Sequence, residues 1–264
     1  MKLETKRLIL RPWEETDAKE CYKYAKDPDV GLPAGWRPHE SVEYSRTIIK
    51  SVLSKPETYA IVLKKTGRPI GSIALRFHSD LAEEDDECEL GCWLGKPYWG
   101  RGIMPEAAAE LIRHAFLDLK LRRIWYGYYD GNERSKRVQE KCGFEYVRTT
   151  DNVAVPDLGE IRKGHVNILT EEDWQIKRIK RFEETFDLIT GRVDALDKAL
   201  QDYKNIKPRI KELTEYYEGG LWRADFEDDE KGRLPKDLKR GVLSEDGVYD
   251  LLDNIKELEK RMKK

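Results

Sequence analysis

Residues 90–109 read Leu-Gly-Cys-Trp-Leu-Gly-Lys-Pro-Tyr-Trp-Gly-Arg-Gly-Ile-Met-Pro-Glu-Ala-Ala-Ala, an apolar strand that passes through a glycine-containing turn into a helix. Gly100 and Gly102 allow a ligand to approach the main chain, because neither carries a Cβ. The first N–H groups of the helix have no intrahelical partner, and the helix dipole places partial positive charge there. Arg101 adds a cation. The stretch therefore predicts a phosphate-binding turn.

The composition limits the classes of partner. The chain has 264 residues, a formal net charge of −2 and 38% charged residues, and this balance does not favour a nucleic-acid partner, which usually binds a basic excess. No apolar segment approaches the ~20 residues of a membrane span, and no secretory signal follows the charged amino-terminal residues. We therefore expect a cytoplasmic protein with neither a nucleic-acid nor a membrane partner.

The cysteines do not indicate a metal site. Cys88 and Cys92 are four residues apart, but no second pair and no histidine follows at ligand spacing. Disulfides are not expected in a reducing compartment. Together with Cys21 and Cys142, these residues are interpreted as buried thiols, and no metal is expected.

Residues 1–174 alternate between β-forming and helical stretches, which indicates an α/β domain with a mixed sheet. Turn chemistry at Lys65-Thr-Gly-Arg68 predicts a hairpin. A closing antiparallel pair is predicted near the end of this part. The predicted strands are 7–12, 58–63, 69–77, 87–94, 124–129, 144–147 and 166–169.

Residues 175–264 predict a smaller all-α domain of three helices. A long amphipathic helix is predicted first, then a helix over Pro208–Tyr217, a loop from Gly219 to Gly241, and a last helix capped by Ser244. The apolar stripe of the long helix can mediate a homodimer or pack on its own two neighbours. Its members are Ile176, Ile179, Phe182, Phe186, Ile189, Val193, Leu196, Leu200 and Tyr203. In the loop, Trp222 and Asp225 can form a partner surface, or Trp222 can fill a small core.

Three motifs carry a family resemblance: Tyr98-Trp-Gly-Arg-Gly-Ile-Met-Pro-Glu-Ala107, Asn132-x-x-Ser135 and Glu140-Lys-Cys-Gly-Phe144. With them, residues 1–174 resemble the GNAT acyl-CoA N-acyltransferases, most of all the branch of the ribosomal-protein alanine acetyltransferases. Trp99 and Met104 depart from the strict glycine motif of the family, although a tryptophan is familiar in this branch. Residues 175–264 resemble a small bacterial domain of unknown function.

The resemblance implies a mixed, mostly antiparallel sheet flanked by helices, with acetyl-CoA as cosubstrate. Acetyl-CoA would lie in a V-shaped opening between the strands Leu90–Leu94 and Ile124–Tyr129. Main-chain groups of Trp93 and Leu94 would hold the pantetheine arm, and Asn132 would contact it. Ser135 would lie near the thioester sulfur. The pyrophosphate would bind the turn formed by Trp99, Gly100, Arg101, Gly102, Ile103 and Met104.

The thioester chemistry requires removal of the ammonium proton and protonation of the leaving thiolate. We expect Glu89 to accept the proton, although it can also be an ordinary edge carboxylate. Ser135 is the candidate acid, or it merely contacts CoA. The tyrosine that some members of the family use for this step falls at Gln139. An acyl-cysteine route through Cys92 is disfavoured, because no histidine is nearby in the sequence.

The acceptor is a primary amine, on a protein N-terminus or on a small molecule. Trp36 and Arg37 lie on the loop that borders the acceptor side in this family, so they are candidate substrate-binding residues, with a plain capping loop as the alternative. The predicted function is acetyl-CoA-dependent N-acetylation by direct attack in a ternary complex. The alternative is a non-catalytic acyl-CoA-binding or protein-interaction module.

Overall fold

In the computed structural model, which describes residues 1–263, one sheet forms the centre of the first part of the chain. Residues 1–182 contribute eight strands to it, as follows: β1 (Leu3–Glu4), β2 (Leu8–Arg11), β3 (Thr58–Leu63), β4 (Arg68–Arg76), β5 (Glu87–Leu94), β6 (Arg123–Tyr129), β7 (Glu145–Val155) and β8 (Glu160–Thr170). Their order is β1-β2-β3-β4-β5-β6-β8-β7. Every neighbouring pair is antiparallel except β5–β6. The predicted mixed, mostly antiparallel sheet is confirmed.

Helices cover both faces of this sheet. They are α1 (Ala18–Ala25), α2 (Pro28–Gly31), α3 (Val42–Ile48), α4 (Ile103–Arg113) and α5 (Glu133–Cys142). On one face, α1 and the π-helical continuation of α3 pack around Trp13. On the other face, α4 and its continuation bury a larger apolar cluster that includes Phe116. Ser41 caps α3 by accepting a hydrogen bond from the Tyr44 N–H at 3.0 Å.

Contacts divide the chain into two units, Met1–Phe182 and Glu183–Lys264. The boundary predicted after residue 174 stays a prediction. The remaining helices are α6 (Glu171–Glu218), α7 (Gly220–Glu230) and α8 (Glu245–Met262). Among the described residues, no helix has the length and hydropathy that a transmembrane helix needs.

The predicted helix break before Pro208 is wrong, because α6 runs through this proline. Proline removes one backbone donor and normally kinks or ends a helix. Here tertiary contacts hold the turn before it: the Tyr203 hydroxyl donates to Glu259 Oε1 of α8 at 2.9 Å, and Lys207 Nζ lies 3.2 Å from the same atom. Contacts with α8 therefore override the local propensity.

The predicted loop from Gly219 to Gly241 is also wrong in its first half, which forms α7. Its acidic residues lie towards the carboxyl end, where the helix dipole disfavours them. Aromatic packing stabilises the helix against this effect. The centre of the Trp222 ring lies 5.2 Å from that of Phe226, on which it stacks, and 5.0 Å from that of Tyr217. The Trp222 indole also donates to the Val242 carbonyl at 2.8 Å. These contacts hold a half-buried Trp222 against its neighbours, and its predicted role in a partner surface stays a prediction.

Candidate active site

Strands β5 and β6 part in the middle of the sheet. Their parallel ladder ends at the Glu89–Trp125 pair, whereas β5 continues to Leu94 and β6 to Tyr129. The opening that the family resemblance implies between these strands is present. A groove of about 900 Å³ follows it, lined by residues of β4, β5, β6, β8, α4 and α5. Main-chain groups on this edge of β5 are therefore accessible to a ligand.

The glycine turn forms one end of the groove. Gly100 and Gly102 have φ angles of +73° and +68°, in the left-handed region that favours glycine. No protein atom lies within 4 Å of the position that a Cβ would take at Gly100, and at Gly102 only an Arg7 nitrogen does, at 3.7 Å. Helix α4 begins at Ile103 without a side-chain cap. Its first N–H groups therefore have no side-chain acceptor at the positive end of the helix dipole.

A salt bridge fixes the start of α4. Arg7 and Thr5, beside β2, both bind the Glu106 carboxylate in the first turn of the helix. Arg7 Nη1 also donates to the Arg101 carbonyl at 2.9 Å, which holds the main chain of the turn. The Arg101 side chain does not line the groove in the described structure and lies 6.0 Å from the Tyr98 ring. Its predicted role in binding stays a prediction.

Trp99 and Arg134 close the mouth of the groove on this side. The Trp99 indole donates to the Leu94 carbonyl at 2.7 Å, so this carbonyl already has a donor. The Arg134 guanidinium lies 3.8 Å from the centre of the Trp99 ring, a cation–π contact.

Three cations of α5 that were not predicted from the sequence line the groove: Arg134, Arg137 and Lys141. Their spacing of three and four residues places them on one face of a helix. This spacing is a signal that the sequence contains. Together with the uncapped end of α4, they make this part of the groove electropositive.

The amino end of α5 brings Asn132 and Ser135 to the groove. Asn132 is the N-cap: its Oδ1 accepts from the Ser135 N–H at 3.2 Å, and its Nδ2 donates to the Pro33 carbonyl at 3.0 Å. Ser135 Oγ accepts a hydrogen bond from Gln139 Nε2 at 3.1 Å. The buried Gln139 amide in turn accepts from Asn167 Nδ2 at 2.8 Å. This chain leaves the Ser135 hydroxyl proton directed away from Gln139.

Tyr126 is a second candidate proton donor, which was not predicted from the sequence. It lies on β6, buried, with its hydroxyl 2.7 Å from Cys92 Sγ. Burial raises the pKa of the Tyr126 phenol well above 10, the neighbouring Cys92 adds to this, and a hydrogen bond with Ser135 opposes it. Tyr126 is therefore neutral at physiological pH and keeps its proton. The alternation of residues 124, 126 and 128 along the strand is the signal for its inward position.

Comparison with known proteins identifies the family. Residues 7–145, more than half of the chain, match the family model described as an acetyltransferase (GNAT) domain. The chain belongs to the GNAT acetyltransferase family. Residues 179–264 match the model of a domain of unknown function, DUF4298. Both family resemblances expected from the sequence are confirmed, and the chain is an N-acetyltransferase by class.

Individual relatives agree with the GNAT assignment. The chain is 32% identical over 148 residues to an uncharacterized N-acetyltransferase, p20, of Bacillus licheniformis. The aligned region covers 54% of this chain and 82% of the relative. It is 27% identical over 171 residues to the [ribosomal protein uS5]-alanine N-acetyltransferase of Escherichia coli, over 64% and 78% of the two chains. Mycobacterium smegmatis RimJ, solved in complex with CoA-disulfide, shares the fold with a TM-score of 0.55 at 19% identity, over 66% and 88%.

The cysteines of the GNAT domain are not poised for covalent chemistry. Burial raises the pKa of Cys92 to about 11 and that of Cys142 to about 12. Both thiols are therefore protonated at neutral pH, and the thiolate is the nucleophilic form. Among the described residues, no group of three His, Cys, Asp or Glu side chains is placed to ligate a metal ion.

Glu89 lies where β5 and β6 separate. Its side chain, 13% exposed, lines the groove and forms a salt bridge with Arg76, its cross-strand neighbour on β4. The position at the base of the opening suits a proton acceptor. The Arg76 guanidinium binds Oε1 of Glu89, so a proton acceptor here has to work beside a positive charge.

Trp36 and Arg37 do not line the groove in the described structure. The Trp36 ring packs 6.0 Å from Trp93 and 5.5 Å from His39. Arg37 Nε donates to the Asp157 carbonyl at 2.7 Å. Both have the contacts of residues that hold a loop in place, which is the alternative interpretation of this stretch, and their substrate-binding role stays a prediction.

Proposed function

We propose that this GNAT enzyme transfers the acetyl group of acetyl-CoA to a primary amine by direct attack in a ternary complex. The observation that carries the proposal is the groove between the parted strands β5 and β6. It links the uncapped amino end of α4 to the half-buried hydroxyl of Ser135 and the buried hydroxyl of Tyr126. A donor with a phosphate end and a reactive thioester end matches these two ends.

The donor is held by charge and by main-chain groups. The N–H groups of the glycine turn and of Ile103 and Met104 bind the pyrophosphate. Arg134, Arg137 and Lys141 add positive charge on the α5 side of the groove. The open edge of β5 at Trp93 offers backbone groups to the amide-containing pantetheine arm.

The reaction needs two proton transfers at the thioester end. Glu89, directly or through water, takes a proton from the substrate ammonium, and the neutral amine then attacks the thioester carbonyl. The nitrogen loses its second proton as the amide forms, and this proton restores the acid that protonates the thiolate. Ser135 or Tyr126 protonates the thiolate as the C–S bond breaks, since both hydroxyls lie together at the inner end of the groove. Positioned acid–base groups contribute about 10²- to 10⁴-fold to such steps, and alignment of the two substrates supplies much of the remainder.

The acceptor class has two candidates, a protein N-terminus and a small-molecule amine. The relative from Escherichia coli is named for an alanine of a ribosomal protein, which favours a protein N-terminus. On the groove lining, Asp80 and Glu89 supply negative charge that suits an ammonium group.

The test has two stages. Calorimetry with acetyl-CoA measures donor binding, and a thiol-release assay then measures acceptor-dependent CoA production over a panel of peptides with different first residues and a panel of small amines. We expect binding and release with at least one panel. Acetyl-CoA binding without acceptor-dependent release on either panel would favour the non-catalytic alternative, and absence of binding would contradict the donor assignment.

A further inference from the structure

Helix α6 carries an exposed apolar strip that the GNAT chemistry does not use. Six residues, here called the α6 strip, recur in alternating steps of three and four: Ile179, Phe182, Phe186, Ile189, Val193 and Leu196. Each keeps between 49% and 65% of its surface exposed. This spacing is that of the a and d positions of a coiled coil, with Ile179, Phe186 and Val193 at a.

We infer that the α6 strip binds the same strip of a second copy of this chain, as a parallel and in-register two-stranded coiled coil. The inference does not depend on the proposed acceptor or on the catalytic residues. The strip spans about 26 Å of helix at 1.5 Å per residue.

Charge selects the partner and its direction. In a parallel pair, each g residue faces the e residue five positions later on the other helix. Arg178 then faces Glu183 of the second copy, and Arg192 faces Asp197 of the second copy. Symmetry gives each contact twice, so four attractive pairs flank the strip and no like charges meet. In an antiparallel pair that aligns the same six apolar residues, each e residue faces an e residue of the second helix. Glu183 then faces Thr190 of the second copy, and no ion pair forms.

The charged residues are available for this contact. In the part of the chain that the structure describes, Glu183, Arg192 and Asp197 have no ion-pair or hydrogen-bond partner through their side chains, and all three are exposed. Arg178 lies over the Trp174 ring, 4.2 Å from its centre, at the outer end of the strip. The strip ends after Leu196, since Tyr203 farther along binds Glu259 of α8.

The first test is the dissociation constant of the full-length dimer, measured by sedimentation across a concentration series. Arg192→Asp and Asp197→Arg each turn two attractive contacts into repulsive ones, and we expect each to weaken the dimer about tenfold or more. The double variant Arg192→Asp/Asp197→Arg restores the opposite charges and should recover most of the loss. Asp194→Arg, on the outer side of the same helix, is the matched control and should leave the constant unchanged.

The second test fixes direction. Under mild oxidation, Val193→Cys should form a disulfide-linked dimer, because equivalent a residues face each other only in the parallel register. Ala195→Cys, on the outside of the helix, should not. A monomer at every concentration would overturn the inference, as would a dimer that ignores both charge reversals. Circular dichroism of each variant confirms that the helix is intact, and all the substituted charges are exposed.

Discussion

At the scale of single residues, the inner end of the groove contains the hydroxyls of Ser135 and Tyr126, which lie in different surroundings. Ser135 is oriented by the Gln139 amide, whereas Tyr126 is held neutral by burial beside Cys92. Either can donate a proton to a thiolate that forms between them. The two candidates can be separated because removing a proton donor slows turnover without removing the contacts that bind the donor molecule.

We expect Ser135→Ala and Tyr126→Phe to lower kcat by about 10- to 100-fold each if the two act in one relay, with small changes in the KM for acetyl-CoA. The double variant should then lose little more than the worse single variant, since residues of one relay are not additive. Steady-state kinetics over a pH range is the measurement. Tyr128→Phe, on the same face of β6, is the control. Unchanged kcat in both single variants would remove both residues from the chemistry.

His39 makes the stability of the first unit, Met1–Phe182, depend on pH. Burial lowers the pKa of His39 from its usual 6.5, and its Nδ1 lies 2.8 Å from the Ser45 hydroxyl. The fold therefore favours the neutral ring. The contribution of His39 to the free energy of unfolding is complete above the pKa that it has in the unfolded chain. It is lost as the pH falls through the lower pKa that it has in the folded protein.

We expect the melting temperature to fall between about pH 7.5 and pH 5, and His39→Gln to reduce that fall. Fluorescence of the tryptophans reports the transition, since Trp36 contacts His39. If the melting temperature falls equally with pH in the variant and in the parent protein, other groups cause the pH dependence.

At the scale of elements, the glycine turn before α4 depends on backbone conformation rather than on space. A methyl group at Gly102 would meet Arg7 only at 3.7 Å, an ordinary contact, but a φ of +68° strains any L side chain. The N–H groups that follow are aimed by this conformation.

We expect Gly102→Ala to raise the Kd for acetyl-CoA about tenfold, because relief of about 1–2 kcal/mol of strain turns the N–H groups away from the pyrophosphate. Gly67→Ala is the matched control, since Gly67 has a φ of +67° in a hairpin turn with open space around it. Both should lower the melting temperature similarly, and only Gly102→Ala should alter binding. Equal affinities would show that the turn does not bind the phosphates.

Gly191 interrupts a long helix without a packing reason. Apart from its chain neighbours and the backbone of its own helix, no atom lies within 4 Å of the place where its Cβ would be. We expect Gly191→Ala to raise the free energy of unfolding by up to about 1 kcal/mol, measured by denaturant titration, and to leave catalysis unchanged. Ala195→Gly, also exposed, should lower it by a similar amount. A loss of stability in Gly191→Ala would mean that the helix needs this glycine.

The elements show where sequence-based prediction succeeds. Strands β2 to β6 and the glycine turn follow from local patterns, since alternation and turn residues act over a few positions. Strand β1 was not predicted, and β7 and β8 extend well beyond the predicted 144–147 and 166–169. The path of α6 through Pro208 and the helical state of α7 do not, because contacts with Glu259 and among Trp222, Phe226 and Tyr217 outweigh the local signals. At the site, the motif residues were predicted from the family. Tyr126 was not, because its role depends on burial and on a neighbour 34 positions away.

At the scale of the whole molecule, a net charge of −2 hides a local concentration of cations. Arg134, Arg137 and Lys141 share the groove with the positive end of α4. Such a site attracts a polyanion although the protein as a whole is slightly acidic.

We expect the KM for acetyl-CoA to rise with ionic strength, because salt screens exposed charges beyond about 8–10 Å. Arg137→Gln should raise the KM at low salt and flatten its salt dependence. Lys136→Gln removes a charge from the same helix outside the groove lining and should change neither. A KM independent of salt in the parent enzyme would exclude an electrostatic role for this face.

The early end of the β5–β6 ladder has a consequence for the dynamics of the empty enzyme. Amides of Leu90–Leu94 that turn towards the opening have no strand to protect them, so their hydrogens exchange with solvent at the rate of an edge strand. In the proposed complex, the amide-bearing pantetheine lies along β5 and takes the place of the missing strand partner. We therefore expect acetyl-CoA to slow the exchange of these amides and to raise the melting temperature.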